Sequence, residues 1–323
     1  MAITGKGIQS VERSKYMNTK SKFRNGWEYV KKKKNFYIML IPAILYFLVF
    51  HYAPMYGILI AFKDFSFKKG ILGSDWIGLE NFIYMFRLEN FYMVFKNSLT
   101  LSILRIAFTF PIPIILALFL NDIKNARYQK TLQTLFYLPH FVSWVVIGGI
   151  LVNFLSPVDG VLNNLITIFG GEPVYFLAEN KYFYPIIILS SIWKESGWGT
   201  IIYLAAITGI SSELYEAARI DGANKFQCMR YITFPGIRST VVTMLILRLG
   251  SVMNNGFEQI FVLQNARNLT VSEVFETYTY RLGLLSGRYS FATTVGLFTA
   301  VINIILLVGS NWISKKLGEE GLF

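Results

Sequence analysis

The chain is predicted to fold as an all-α integral membrane protein with six transmembrane helices and both termini cytoplasmic. Three observations predict this. Of its 323 residues, 54% are hydrophobic and only 15% are charged, against about 25% charged in an average soluble domain. Six apolar stretches reach the roughly 20 residues that a spanning helix needs, and mean hydropathy is +0.45. The basic residues behind the +12 formal charge pile up beside those stretches, where a nucleic-acid-binding face would spread them over a folded surface among aromatics. Cys228 is the single cysteine, which excludes a disulfide scaffold or a cysteine-based metal cluster. Two histidines, His51 and His140, leave little for a zinc site.

The stretches cover residues 36–62, 94–120, 136–155, 183–207, 241–263 and 291–313. Pro42, Pro54, Pro111, Pro113 and Pro139 fall within them, and membrane helices tolerate proline where neighbours satisfy the freed carbonyls. The first stretch is nearly twice the length of a secretory h-region and carries Tyr, Phe and His at its outer end, so it reads as an uncleaved span. The third and fifth are the least regular, the fifth being interrupted by Asn, Gln and Glu. Orientation follows from the Lys and Arg of the connecting segments. With the N-terminus inside, cytoplasmic segments hold nineteen and outer segments eight. Ten of the nineteen lie in a basic tail over residues 1–35, opposed only by Glu12 and Glu28. In the first outer loop, Leu79, Phe82, Ile83 and Phe86 recur at helical spacing, which predicts a short amphipathic helix; it can lie at the interface or pack on the bundle.

One cytoplasmic segment is unlike an ordinary connection. In Ser211-Ser-Glu-Leu-Tyr-Glu-Ala-Ala-Arg-Ile-Asp-Gly-Ala-Asn-Lys-Phe-Gln-Cys-Met-Arg-Tyr-Ile-Thr-Phe-Pro235, Ser212 is the expected N-cap, with Glu213 and Glu216 near the positive helix end. Ala217 and Ala218 form helix readily and leave a small surface open to close approach. Gly222 can adopt the positive φ that ends a helix. A second helical run is expected over 223–231 before Pro235 turns the chain into the fifth stretch. Such a hairpin is too short to fold alone.

This segment closely resembles the EAA loop of ABC-importer permeases. Glu216-Ala217-Ala218, Gly222, Ile232 and Pro235 fall in register with that pattern, with Asp221 beside the glycine. Phe234 replaces its Leu and Ser239 stands where many members have a second Pro. Tyr137-Leu-Pro-His-Phe-Val-Ser-Trp-Val-Val146, Ser191-Ile-Trp-Lys-Glu-Ser-Gly-Trp-Gly199, Gly256-Phe-Glu-Gln-Ile-Phe261 and Leu317-Gly-Glu-Glu-Gly-Leu-Phe323 narrow the resemblance to permeases importing complex carbohydrates, a group that includes alginate and pectin-oligosaccharide importers. The resemblance covers residues 36–323, which it makes one six-span permease domain with a coupling loop at 211–237.

The resemblance implies a bacterial inner-membrane subunit without catalytic residues, metal or cofactor of its own. The chain has no Gly-x-x-x-x-Gly-Lys-Ser/Thr and hence no P-loop; the resemblance implies that two cytoplasmic ATPase subunits hold the ATP and magnesium, with the EAA helix seated in a cleft of an ATPase subunit. A second, homologous permease and an extracytoplasmic sugar-binding protein complete the implied partners.

Polar residues inside the apolar stretches are the candidates for the substrate path: Arg105, Lys194, Glu195, Arg248, Asn254, Asn255, Glu258 and Gln259, with Trp193 and Trp198 as aromatic faces for a sugar ring. A central Arg costs about 2.5–3.5 kcal/mol on insertion scales and so normally faces protein or water. Each residue can instead serve interhelical hydrogen bonding or snorkel to the interface. Arg105 and Arg248 would suit an acidic oligosaccharide. His51 and His140 are read as packing or interfacial residues, and Asn268-Leu-Thr270 as a chance match to a glycosylation signal. The rival functions are an ion-coupled secondary transporter, which should show paired interrupted spans in two repeats, and a membrane enzyme, which would cluster its acids at one face.

Overall fold

The computed structural model describes residues 33–319 and 321–323; the basic tail expected over 1–35 lies outside the described residues except at its end. The chain divides into two compact units, one ending at Leu59 and the other spanning Ile60–Phe323. In the first, helix α1 (Lys34–Phe47) contains no buried residue. Phe36, Leu40, Ile44, Phe47 and Leu48 are all half or more exposed. A helix apolar on every side suits lipid.

The second unit is built from α2 (Glu80–Arg87), α3 (Glu89–Leu104), α4 (Pro111–Asn121), α5 (Ala126–Tyr137), α6 (Trp144–Phe154), α7 (Asn180–Thr208), α8 (Ser212–Ile220), α9 (Arg238–Leu249), α10 (Phe257–Leu263), α11 (Phe275–Tyr280) and α12 (Tyr289–Lys316). A two-residue antiparallel ladder, Lys63–Asp64 against Asp75–Trp76, closes the loop before α2. The helix expected at 79–86 is present as α2, with Met85 turned inward.

Proline shapes the long helices. Leu48–Tyr52, Arg105–Thr109 and Met229–Thr233 are single wide turns of π-helix, and each ends two residues before a proline: Pro54, Pro111 and Pro235. Proline has no N–H, and its ring collides with the carbonyl four residues back. A wide turn moves that carbonyl aside while keeping the backbone paired, as where the Phe110 N–H donates to the Arg105 carbonyl over 3.0 Å.

By length and composition, Lys34–Phe62, Glu89–Asn121 and Tyr289–Lys316 can each cross a membrane as one helical run. Two of the expected stretches differ from single helices. The stretch at 136–155 is broken by a 95° bend between Ala126–Phe141 and Trp144–Phe154, because Pro139 draws the chain into a 3-10 turn over Leu138–Phe141. The stretch at 241–263 is two elements: α9 ends at Leu249, and α10 starts only after Gly256 takes φ +82°. Asn254, Asn255 and Gly256 between them interrupt the apolar patterning.

Three apolar clusters hold the second unit. Phe91, Phe275 and Phe291 join α3, α11 and α12; Leu101, Ile187 and Ile260 join α3, α7 and α10; Ile114, Tyr203 and Ile237 join α4, α7 and the approach to α9. Each fully buried side chain of this size contributes about 1.5–3 kcal/mol where the reference is water. After α12 the chain folds back: Asn311 accepts from the Leu322 N–H at 2.7 Å, and Arg238 pairs with Glu319 at 2.6 Å.

Candidate functional site

The hairpin that resembles the EAA loop is a pre-formed, doubly capped unit. Ser211, one residue earlier than expected, caps α8 by accepting from the Glu213 N–H. At the other end Gly222 has φ +81°. The Ala223 N–H donates to the Ala218 carbonyl at 2.8 Å and the Gly222 N–H to Arg219 at 3.1 Å, the paired bonds of a Schellman stop. The second helix begins at Lys225, two residues later than expected, because Asn224 and Gln227 form a reciprocal capping box. The turns are then tied together and to the body. Tyr215 Oη and Thr233 Oγ1 are 2.9 Å apart, and Lys225 Nζ meets Asp122 Oδ2 at 2.6 Å beyond the end of α4.

The outer surface of this hairpin is unsatisfied. Glu216, Ala217, Asp221, Gly222 and Pro235 are exposed, Ala218 and Ile232 half-buried, and among the described residues Glu216 is paired with no cation. Ile220 is 87% exposed and Phe226 66%, with Leu214, Tyr231 and Phe234 open beside them. Large apolar side chains at a polar, charged surface mark an interaction site.

The path candidates separate into three groups. Arg105, Lys194, Glu195, Trp198 and Arg248 line one cavity of about 620 Å³ between the α3–α4 junction, the α5–α6 bend, α7 and α9. Asn255 and Gln259 are buried struts. Gln259 accepts from Arg105 Nη2 at 2.5 Å and from Ser191 Oγ at 3.1 Å, and donates to the Ile187 carbonyl and Ser190 Oγ, both at 2.9 Å. Asn255 accepts from Arg105 through its carbonyl at 2.9 Å and donates through its side chain to the Ser98 carbonyl. Trp193, Asn254 and Glu258 are exposed away from the cavity lining.

Within the cavity the charged groups are held differently. Arg105 is 4% exposed and committed to α10 and the turn before it. Lys194 is 7% exposed, and its ammonium donates to the His140 and Val142 carbonyls at 2.6 and 2.7 Å. Those carbonyls sit at the α5–α6 bend, so Lys194 supplies the donors that the broken helix lacks. One turn later Trp198 stacks on the His140 ring, 4.7 Å between centroids and 4° from parallel. Between them, a Cβ on Gly197 would lie 2.0 Å from the Phe136 carbonyl oxygen; only glycine allows α7 to approach that backbone. The two segments Tyr137–Val146 and Ser191–Gly199 are thus the halves of one joint. Glu195 and Arg248 differ from Arg105 and Lys194: half-buried, they form no ion pair among the described residues. His140, expected as a packing residue, packs and also lines the cavity, a role that only its place in the Leu-Pro-His motif hints at.

The profile of the family described as "Binding-protein-dependent transport system inner membrane component" matches residues 109–319. Protein LplB of Bacillus subtilis (strain 168) is 47% identical over 91% of this chain and 92% of its own length. The polygalacturonan/rhamnogalacturonan transport system permease protein YteP of the same organism is 46% identical over 90% and 91%. A crystal structure of a bacterial ABC transporter involved in the import of the acidic polysaccharide alginate contains a chain that superposes with TM-score 0.85 at 42% identity, over 91% of this chain and 99% of that one. A second alginate transporter structure, in complex with an alginate pentasaccharide-bound periplasmic protein, matches with the same TM-score of 0.85 at 41% identity, over 92% and 99%.

Proposed function

The chain belongs to the family of binding-protein-dependent transport system inner membrane components, and from that premise we propose that it forms half of the translocation path of an ATP-driven importer of acidic oligosaccharides. It is a carbohydrate ABC-importer permease and a multi-pass membrane protein, and as a transport subunit it is not in itself an enzyme. In the proposed arrangement it crosses the bacterial inner membrane six times with both termini in the cytoplasm. A second homologous permease supplies the other half of the path. Two cytoplasmic ATPase subunits bind the ATP and magnesium, and an extracytoplasmic binding protein delivers the sugar. The polygalacturonan and alginate specificities named for its relatives support an acidic cargo.

The observation that carries the reading is the hairpin at 211–235. It is capped at both turns, linked through Lys225–Asp122 to the helix run that contains Arg105, and apolar on its free surface around Glu216, which pairs with no cation among the described residues. A cleft in one ATPase subunit would take Glu216, Ala217 and Ala218, with Asp221 and Gly222 setting the bend and Ile232 and Pro235 passing the motion toward α9. An ion-coupled transporter has no use for such a surface. Glu216→Ala is expected to weaken ATPase retention by about tenfold, a loss of roughly 1.4 kcal/mol, while leaving membrane insertion intact. Co-purification of the ATPase with the tagged permease, alongside uptake, checks this; unchanged values for both would remove the assignment.

A further inference from the structure

Three of the four ionisable cavity groups other than His140 and Tyr203 are cationic, Arg105, Lys194 and Arg248, against one carboxylate, Glu195. The Arg105 and Lys194 charges are held by neutral acceptors, carbonyl oxygens and an amide, so among the described residues neither is neutralised by a direct ion pair. In an open cleft with largely apolar walls such a field is less screened than in bulk water, and it favours an anion. Both are nine-tenths or more buried and tethered to the scaffold, Lys194 through its ammonium and Arg105 through Nη2, while the buried Arg105 Nε has no partner among the described residues; neither can swing out to follow a passing sugar. Arg248 is half-buried, lines the same space, and pairs with no carboxylate among the described residues.

We propose that Arg248 is the carboxylate-reading group of this permease, engaging each uronate residue of the cargo as it passes through the cavity, with Glu195 keeping that engagement weak. The inference rests on the acidic-oligosaccharide permease reading and adds which cavity group recognises the carboxylate. A planar guanidinium can meet a carboxylate through two parallel hydrogen bonds, which a neutral sugar or a methyl ester cannot reciprocate. Conduction requires binding that is weak enough to release. A cavity with three cations and no carboxylate near them would trap a polyanion; Glu195 in the lining, and Glu276 behind it on the Asn255 N–H that adjoins Arg105, lower that attraction. Trp198, 48% exposed, offers an apolar face beside the charged groups.

The test is ATP-driven uptake by the complete importer, with cognate binding protein, in proteoliposomes, using trigalacturonate and its fully methyl-esterified form. Taking the variant-to-wild-type ratio for each sugar separately cancels the binding protein's own selectivity. Arg248→Met is expected to lower uptake of the acid ~10- to 100-fold, the range of a lost charge-assisted hydrogen bond, and that of the ester less than ~2-fold. Arg248→Lys keeps the charge without the fork and should raise KM for the acid with little change in maximal rate. Glu195→Gln should lower KM for the acid and leave the ester unaffected, and it stands as an independent arm if Arg248→Met does not assemble. Equal loss of both sugars, or no loss of either, would overturn the carboxylate subsite while the acidic-oligosaccharide reading survives; a wild type that imports only the ester would overturn both the subsite and the acidic cargo, leaving the ABC-permease assignment. A wild-type importer that moves no oligosaccharide in response to ATP would instead overturn the reading beneath it.

Discussion

Lys194 shows how a charged residue in a membrane protein can be spent on architecture. Its ammonium satisfies two carbonyls at a 95° break, groups that would otherwise be stranded without donors in a dry interior. Lys194→Met should therefore cost about 2–4 kcal/mol, since each orphaned buried acceptor costs about 1–3 kcal/mol. A lowered midpoint of thermal unfolding of the purified permease, partly restored in Lys194→Arg, is the expected result. The two tryptophans flanking this lysine part company in the same way. Trp198 lines the cavity and Trp193 does not, so Trp198→Ala should reduce sugar uptake at least ~5-fold, on the scale of one lost aromatic contact. Trp193→Ala should stay within ~2-fold of wild type, measured as initial uptake rate at matched expression.

At the scale of elements, the joint between the α5–α6 bend and α7 and the capped hairpin both follow from short local signals. Pro139, Pro111 and Pro235 force the breaks and wide turns where they stand, and Gly222 ends α8 as its sequence context predicts. The register of Glu216, Ala217 and Ala218 on an exposed face is legible for the same reason: capping residues act within one helical turn. What the sequence does not disclose is long-range. Gln259 resembles any polar residue in an apolar stretch, and only the fold reveals that it ties Arg105 to Ser190 and Ser191 across 154 and 69 residues of chain. The irregularity of the 241–263 stretch is legible in its Asn, Gln and Glu, but the place of the break is not, because hydropathy averages over the turn that Gly256 makes possible. Gly197 carries no local signal either, its small size being required by the Phe136 backbone. Gly197→Ala must push α7 and α5 apart, and overpacking of this kind costs typically about 1–3 kcal/mol or more. A fall in recovered folded permease and in its unfolding midpoint checks this, whereas Gly149→Ala, with nothing within 4 Å of the new Cβ, should leave both unchanged.

At the scale of the whole molecule, the proposed permease is a transmission that runs from an exposed hairpin, through the Lys225–Asp122 strut, to the helices around a cationic cavity. The strut itself is solvent-exposed and stabilises by no more than about 1 kcal/mol, so it can orient the hairpin but cannot carry the load alone. Load transfer falls to the covalent path through Met229–Gly236 into α9, which bears Arg248, and this places the force-receiving surface and the proposed sugar-reading group on one continuous segment. The claim on which all of this depends is that the hairpin is held by a nucleotide-hydrolysing partner. Cys228 is the only cysteine and is buried, so a single Ala217→Cys variant in the intact importer provides one reactive thiol on the hairpin. With a short heterobifunctional cross-linker, a permease–ATPase adduct is predicted whose yield changes on adding ATP. A solvent-reactive thiol at position 217 that yields no ATPase adduct in an active complex would contradict that claim.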